Sequence, residues 1–245
     1  MRDKKDLQRL LNLNFLDLTN KTICVGRYDL PKVFCNLEEC PDYIALYSQP
    51  CDYHRTNNTA VSFYDYDIRF DNDNGLYNAI YFNNEKRLED FRRRFKGVKY
   101  FIAPDYSQCG DVQAYHNVHR LGRAREVSIW LSLNTGAIVI PNITCCQEKD
   151  LEYNCDGLED VDTVAVSTKG RSTDSLDRSL IQKSVDNCLL KLPNLNAIIV
   201  YSTSANSKEV DELFRNAKKK GIKIIVPDNQ LRSRNIARSS HVQHR

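Results

Sequence analysis

The side chains able to do chemistry in this sequence cluster after short apolar runs. Asp105, Ser107 and Asp111 follow Val98-Lys99-Tyr100-Phe101-Ile102, and Asn142 follows Ala137-Ile138-Val139-Ile140. Ser167, Thr168, Lys169 and Gly170 follow Thr163-Val164-Ala165-Val166. Ser202, Thr203 and Ser204 follow Ala197-Ile198-Ile199-Val200-Tyr201, and Asp228 follows the last run, Ile222 to Val226. Two carboxylates such as Asp105 and Asp111 would hold a divalent cation or divide acid–base work between them. Their plainer roles are a turn cap and a helix N-cap. The stretch Ser167-Thr168-Lys169-Gly170-Arg171-Ser172-Thr173 sets hydroxyls, a glycine and two cations ahead of a helix, which suits a phosphate held on backbone N–H groups. It lacks the G-x-x-x-x-G-K-[ST] pattern of a P-loop, and an ordinary solvated loop is the competing account.

Two further constellations stand apart from these strand ends. Cys35, Cys40, Cys51 and His54 bring four soft or borderline ligands within a short stretch and would suit tetrahedral zinc, although their spacing fits none of the common zinc modules. The alternative is thiols filling small core sites. Cys109 with His116 or His119 would make a thiolate and base, but nothing in the sequence orients the pair. There is no G-x-S-x-G, H-E-x-x-H or G-x-G-x-x-G. Basic runs occur at Arg92–Lys96, His119–Arg125, Lys218–Lys220 and from Arg232 to the end. They would attract phosphates, with Arg123 and Arg125 as candidate contacts, or serve as solvated helix faces.

The elements that must position these groups alternate in type. From Val98 onward the sequence reads as five strands, with helices after the first, third and fourth. The strands are nearly continuous apolar runs, as expected when helices cover both faces of a parallel sheet. Helices are expected over about 84–95, 111–133, 175–191 and 206–220. Gly97, Gly136 and Gly221 sit where helices stop. Before this region the sequence predicts a short helix near residues 4–12 and several extended runs, including Val61–Tyr64 and Tyr66–Phe70. The expected fold class is therefore α/β: a mostly parallel sheet of βα units, open or irregularly barrel-like, with an N-terminal β-rich elaboration. Residues 1–82 form that elaboration of the same domain, 83–231 the βα core, and 232–245 a basic, disordered tail.

Composition permits a sizeable core and excludes some classes. The chain has 245 residues, 41% hydrophobic and 27% charged, with a net charge of +3, so an anionic partner is permitted but not demanded. No apolar stretch reaches the roughly 18 residues of a membrane helix. The charged N-terminus lacks the apolar segment of a secretory signal, so a cytoplasmic location is expected. Nine cysteines in such a chain read as thiols or metal ligands rather than a disulfide framework.

A set of motifs in fixed order carries a resemblance. Phe101-Ile102-Ala103-Pro104-Asp105-Tyr106-Ser107 is followed by Asp111, by Asn117 with Arg123 and Arg125, and by Trp130. Then come Val139-Ile140-Pro141-Asn142-Ile143, Val164-Ala165-Val166-Ser167 with Gly170, and Ile198-Ile199-Val200-Tyr201. Over about residues 60–226 this resembles a family of bacteria, archaea, plasmids and phages designated only as a domain of unknown function. Leu131 stands where that family carries a glutamine. The resemblance implies a bacterial, plasmid or phage setting and no particular reaction.

These readings combine into an uncharacterised mobile-element or phage-type protein that binds nucleic acid or a nucleotide at the strand carboxyl ends, without membrane contact. Ser107, Asn142, Ser167, Lys169, Gly170, Arg123 and Arg125 are the expected ligand-binding residues, and Asp105 and Asp111 the catalytic candidates. The alternatives are a non-catalytic accessory protein and a metal-dependent hydrolase or nuclease using a divalent cation.

Overall fold

The computed structural model describes Leu18 and residues 20–242, with backbone alone for 240–242. The helix expected near residues 4–12 lies outside the described residues. In chain order come β1 (Cys24–Val25), β2 (Leu30–Pro31), β3 (Tyr43–Leu46), β4 (Thr59–Ser62), α1 (Asp67–Phe70), α2 (Leu76–Tyr81), α3 (Glu85–Arg94) and β5 (Tyr100–Ile102). They are followed by α4 (Ala114–Thr135), β6 (Ile138–Ile140), β7 (Thr163–Ser167), α5 (Ser175–Lys191) and β8 (Ala197–Tyr201). The last elements are α6 (Ser207–Leu213), α7 (Arg215–Lys219), β9 (Lys223–Ile225) and α8 (Gln230–Val242).

The chain is thus α/β, with two parallel sheets: β3-β4-β5-β6 and β7-β8-β9. β1 and β2 form a separate antiparallel pair. One parallel bridge joins the sheets on each flank, Asn142 to Ala165 and Tyr43 to Asp228. The hydrogen bonds there are Ala165 N–H to the Pro141 carbonyl at 2.8 Å and Ile44 N–H to the Asp228 carbonyl at 2.8 Å. The ladder is not continuous across either flank.

Side-chain alternation explains the layering. Successive strand residues point to opposite faces. Ile44, Leu46, Ala60, Tyr100, Ile102 and Ile140 enter the core between the two sheets. Their neighbours Tyr43, Ala45, Val61, Phe101 and Val139 enter a second core with Leu88, Phe91 and Phe95, from α3 and its C-terminus, and with Val127, Trp130 and Leu131 from α4. Burying each such large side chain contributes about 1.5–3 kcal/mol. In the second sheet both alternations, Val164 and Ala165 or Ile198 and Ile199, belong to the first core.

The helices stop and start on local chemistry. Asn84 Oδ1 accepts from Arg87 N–H to open α3, and Asp174 Oδ1 accepts from Asp177 N–H to open α5. Gly136 closes α4 at φ 70°, the left-handed conformation that favours glycine.

Three expectations differ from the structure. β3 and β4, read from the sequence as part of an N-terminal elaboration, are the first two strands of the four-stranded parallel sheet. Asp67–Phe70, expected as extended, is a helical turn that lets Phe70 pack edge-on against Phe63. Residues 232–242 of the segment expected to be disordered belong to α8, and the rest of it lies outside the described residues. Its start is anchored by Asn229, whose Oδ1 accepts from Arg232 N–H and whose Nδ2 donates to the Ser202 carbonyl, and Asn235 donates to the Thr203 carbonyl. These contacts offset the ordering entropy of a polar segment. Among the described residues no helix is long and apolar enough to cross a membrane.

Candidate functional site

The carboxyl ends of β5, β6 and β7 open onto one cavity of about 160 Å³. Asp105, Ser107, Asn142, Ser167 and Lys169 line it, together with Gln108, Cys146 and Arg171. The parallel register is the cause. Ile102 pairs with Ile140, so β5 and β6 end at one level, and Asn142 bridges to Ala165, so the loop residues after them lie beside β7, which runs on to Ser167. Pro104 helps end β5, because it has no N–H to continue the ladder.

Asn142 is the hinge of the polar arrangement. Its side chain is buried; Nδ2 donates to Asp105 Oδ1 at 2.8 Å, and Oδ1 accepts the Tyr64 hydroxyl at 2.6 Å. The Tyr64 ring stacks on Tyr201 with centroids 4.9 Å apart, which fixes the direction of that hydroxyl. The chain Tyr64–Asn142–Asp105 therefore ties β4, β6 and β5 together at the cavity floor.

Two cations reach the cavity from the loop after β7. Lys169 Nζ donates to the Tyr64 carbonyl at 3.0 Å and sits 5.7 Å from the Tyr66 ring centroid. Arg171 donates from Nη2 to the Cys145 carbonyl at 2.6 Å and from Nε to Asp177 at 3.2 Å, and Nη1 has no partner among the described residues. Between them Gly170 adopts φ 74°, and Ser167 Oγ accepts from Lys169 N–H, so the loop turns back towards the cavity. On the opposite wall, the N–H and Oγ of Ser107 both donate to Asp67, which also receives Arg120 at 3.2 Å. Gln108 lines the cavity with a buried Oε1 that has no hydrogen-bond partner among the described residues.

Asp105 has an altered acidity for identifiable reasons. Burial pushes its carboxyl up to about 6, and Asp67 adds to the rise. The Asn142 hydrogen bond and the charges of Arg171 and Lys169 oppose it. A carboxyl poised near neutrality can exchange a proton at working pH.

The other expected site residues lie elsewhere. Asp111 is exposed, does not line the cavity, and does not cap α4, whose N-cap is Gln113. Arg123 is held between the rings of Tyr77 and Tyr106, at 4.2 and 4.5 Å, and paired with Asp71. Arg125 is buried, donates to the carbonyls of Asn154 and Asp156, and has its guanidinium pulled down to about 10 by burial. Both arginines face inward because their position on α4 turns them to packed neighbours.

The four proposed zinc ligands do not form one group, although Cys35 and Cys40 are neighbours. Cys35 is buried in the core between the sheets and Cys40 is half-buried, whereas Cys51 and His54 are exposed in the β3–β4 connection. Among the described residues no group of three or more His, Cys, Asp or Glu side chains is placed to hold a metal ion. Cys109 is tied through its backbone to Asn117, and no hydrogen bond links its thiol to His116 or His119.

The basic runs are largely internally matched. Arg92 pairs with Glu85 and Glu89, Arg93 with Asp90, Arg120 with Asp67, and Lys218 with Asp211. Arg94 donates to the Tyr47 carbonyl and lies over its ring. The first two runs sit on α3 and α4 beside one sheet, and the third on α7 beside β9 of the other.

Sequence reasoning did not single out Tyr64 or Asp67. Tyr64 follows β4 as Asp105 follows β5, and recognising β4 as a parallel strand would have found it. A family model described as a domain of unknown function (DUF4417) matches residues 23–228. No curated protein matches the chain.

Proposed function

We propose that this chain, which belongs to the DUF4417 family, binds a small phosphate-bearing ligand of the nucleotide class at the carboxyl ends of β5, β6 and β7. The observation that carries this reading is the convergence of Lys169 and Arg171 with the Asp105–Asn142–Tyr64 chain around one cavity. Ligands of α/β folds bind outside the carboxyl ends of strands, and charge-assisted hydrogen bonds from Lys and Arg are strong anchors for phosphate. The cavity admits a phosphate-sized group, since a water takes up about 30 Å³ of liquid, so the rest of the ligand extends outward. Ser167 adds a hydroxyl donor, and Gly170 takes the positive φ that lets the loop backbone turn. Asp105 in its neutral form donates to an oxyanion, and in its ionised form accepts a proton from the ligand.

An extended nucleic-acid surface has less support, because the basic runs carry their own acidic partners and sit beside different sheets. The metal-dependent nuclease reading is not carried forward, since Asp105 and Asp111 do not share the cavity. We read the two flank-bridged sheets as an open, barrel-like ring with the ligand at its rim. The bacterial, plasmid or phage setting belongs to the same proposal and draws on the sequence resemblance.

The test is calorimetric titration of the protein with inorganic phosphate and with a nucleoside monophosphate. Lys169→Met and Arg171→Met are each expected to weaken binding by about tenfold, the worth of one charge-assisted hydrogen bond. Equal affinity in all three proteins would refute the site.

A further inference from the structure

We infer that a second anion site, suited to a phosphate group, lies at the carboxyl ends of β8 and β9, on the same rim as the first cavity. A separate cavity of about 160 Å³ is lined there by Ser202, Ser204, Ser207, Asp211, Lys218 and Arg232. Arg232 enters it from α8 with its Nε buried and, among the described residues, without a hydrogen-bond partner. A buried guanidinium N–H left unmatched is costly and calls for an acceptor in the adjoining space. Lys218 contributes a second cation from α7, held in place by its pair with Asp211. With Arg232 the lining carries one net positive charge.

The walls supply hydroxyl donors in fixed positions. Ser202 is buried, and its Oγ accepts from Ser204 N–H at 3.2 Å; Ser204 Oγ accepts from Asn206 N–H at 3.1 Å. Each oxygen used as acceptor keeps its own hydrogen to donate. Asn229 and Asn235 clamp α8 to the Ser202 and Thr203 carbonyls, which fixes Arg232 against this loop. The combination of hydroxyl donors and two cations against the one carboxylate of Asp211 favours an oxyanion over a cation or an apolar group.

The two cavities are neighbours on one face. Thr168 N–H donates to the Tyr201 carbonyl at 3.0 Å, so the loop that carries Lys169 touches the strand end that begins the second site. The second site stands on its own residues and does not depend on the first holding a ligand.

The experiment is a titration of the isotopically labelled full chain with inorganic phosphate, read at backbone amides by NMR. The amides of Ser204, Asn206 and Lys208 report on the second site, and those of Ser107 and Lys169 on the first. In the wild type the Ser204 group is expected to shift saturably. Arg232→Gln is expected to weaken that response by about tenfold and leave the Ser107 group unchanged, and Lys169→Met to do the reverse. Lys218→Gln, an exposed change that does not touch the α8 anchor, is expected to weaken the Ser204 group several-fold, and Asp211→Asn to strengthen it. A Ser204 group that stays still in the wild type, or that responds in Arg232→Gln and Lys218→Gln just as it does in the wild type, overturns the inference. A Ser107 group that stays still while the Ser204 group moves leaves this inference standing and removes the proposed function instead.

Discussion

Asn142 donates from Nδ2 to Asp105 Oδ1 at 2.8 Å, and this bond is the largest of the influences that hold the Asp105 carboxyl down against the effect of burial. Removing it should move two observables together. Asn142→Ala is expected to raise the Asp105 titration above its value of about 6. It should also lower stability by about 1–3 kcal/mol, because the buried Tyr64 hydroxyl loses its acceptor. Carboxyl carbon NMR follows the first effect and denaturant unfolding the second. An unchanged titration would mean that Asn142 does not tune Asp105.

Asp105 itself should make stability depend on pH in a defined direction. Its folded value is raised from 3.8 to about 6, so its contribution to stability is fully present below the unfolded value and is lost as pH rises through about 6. Asp105→Asn keeps an acceptor for Asn142 and carries no charge. The variant should match the wild type at acid pH, below the unfolded value, and exceed it above the folded value by about 1–3 kcal/mol. Denaturant midpoints at two pH values, one on each side of that window, check this. A variant less stable than the wild type in alkaline conditions would contradict the burial account.

Arg123 should prove structural. It is paired with Asp71, both side chains being about nine-tenths buried at 14% and 13% exposure, and it is sandwiched by Tyr77 and Tyr106. Arg123→Met should cost about 2–4 kcal/mol, since it leaves a carboxylate without its partner. Phosphate affinity of the folded variant should stay at the wild-type value. Arg123→Lys should recover only part of the stability, because an ammonium does not lie flat between two rings.

Thiol reactivity should follow burial rather than a shared metal. Cys24, Cys51 and Cys109 are exposed and should react first with a thiol reagent in the native protein. Cys35, Cys145, Cys155 and Cys188 are buried and should react only on unfolding; burial pushes the Cys35 thiol well up, which further slows it. Mass spectrometry of labelled peptides reads the order. Protection of Cys51 together with Cys35 and Cys40, reversed by a chelator, would revive the zinc reading.

Much of the fold was legible because local rules and the tertiary structure agree. The stretch Ser175–Lys191 carries its own cap at Asp174 and turns Leu180, Ile181, Val185 and Cys188 inward, and it is the helix expected, although Leu176 is exposed. Val164–Val166 and Ile198–Val200 are apolar on both faces because both faces are covered. β3 and β4 misled, since only a turn at Pro50–Asp52 connects them where a helix is usual, so their parallel pairing left no mark on the sequence. The same gap hid Tyr64. Asp105, Asn142, Ser167 and Lys169 were found by their place after strands, which is a local feature. Asp111, Arg123 and Arg125 were not separable from them by sequence, because the direction in which a residue on a turn or long helix faces is set by packing partners far along the chain. The polar tail gave no sign of order, because its anchors at Asn229 and Asn235 bond to carbonyls about 30 residues away.

The most direct test of the central claim is the pH dependence of oxyanion binding at the β5–β7 cavity. Sulfate is the probe, since its charge is constant where a phosphate monoester titrates near pH 6. The amides of Ser107 and Lys169 are the readout, in the wild type and in Asp105→Asn. With Asp105 ionising at about 6, wild-type affinity should fall several-fold as pH rises through that value, while the variant's affinity stays level. Absence of sulfate binding at these amides, or the same pH profile in both proteins, would contradict the account.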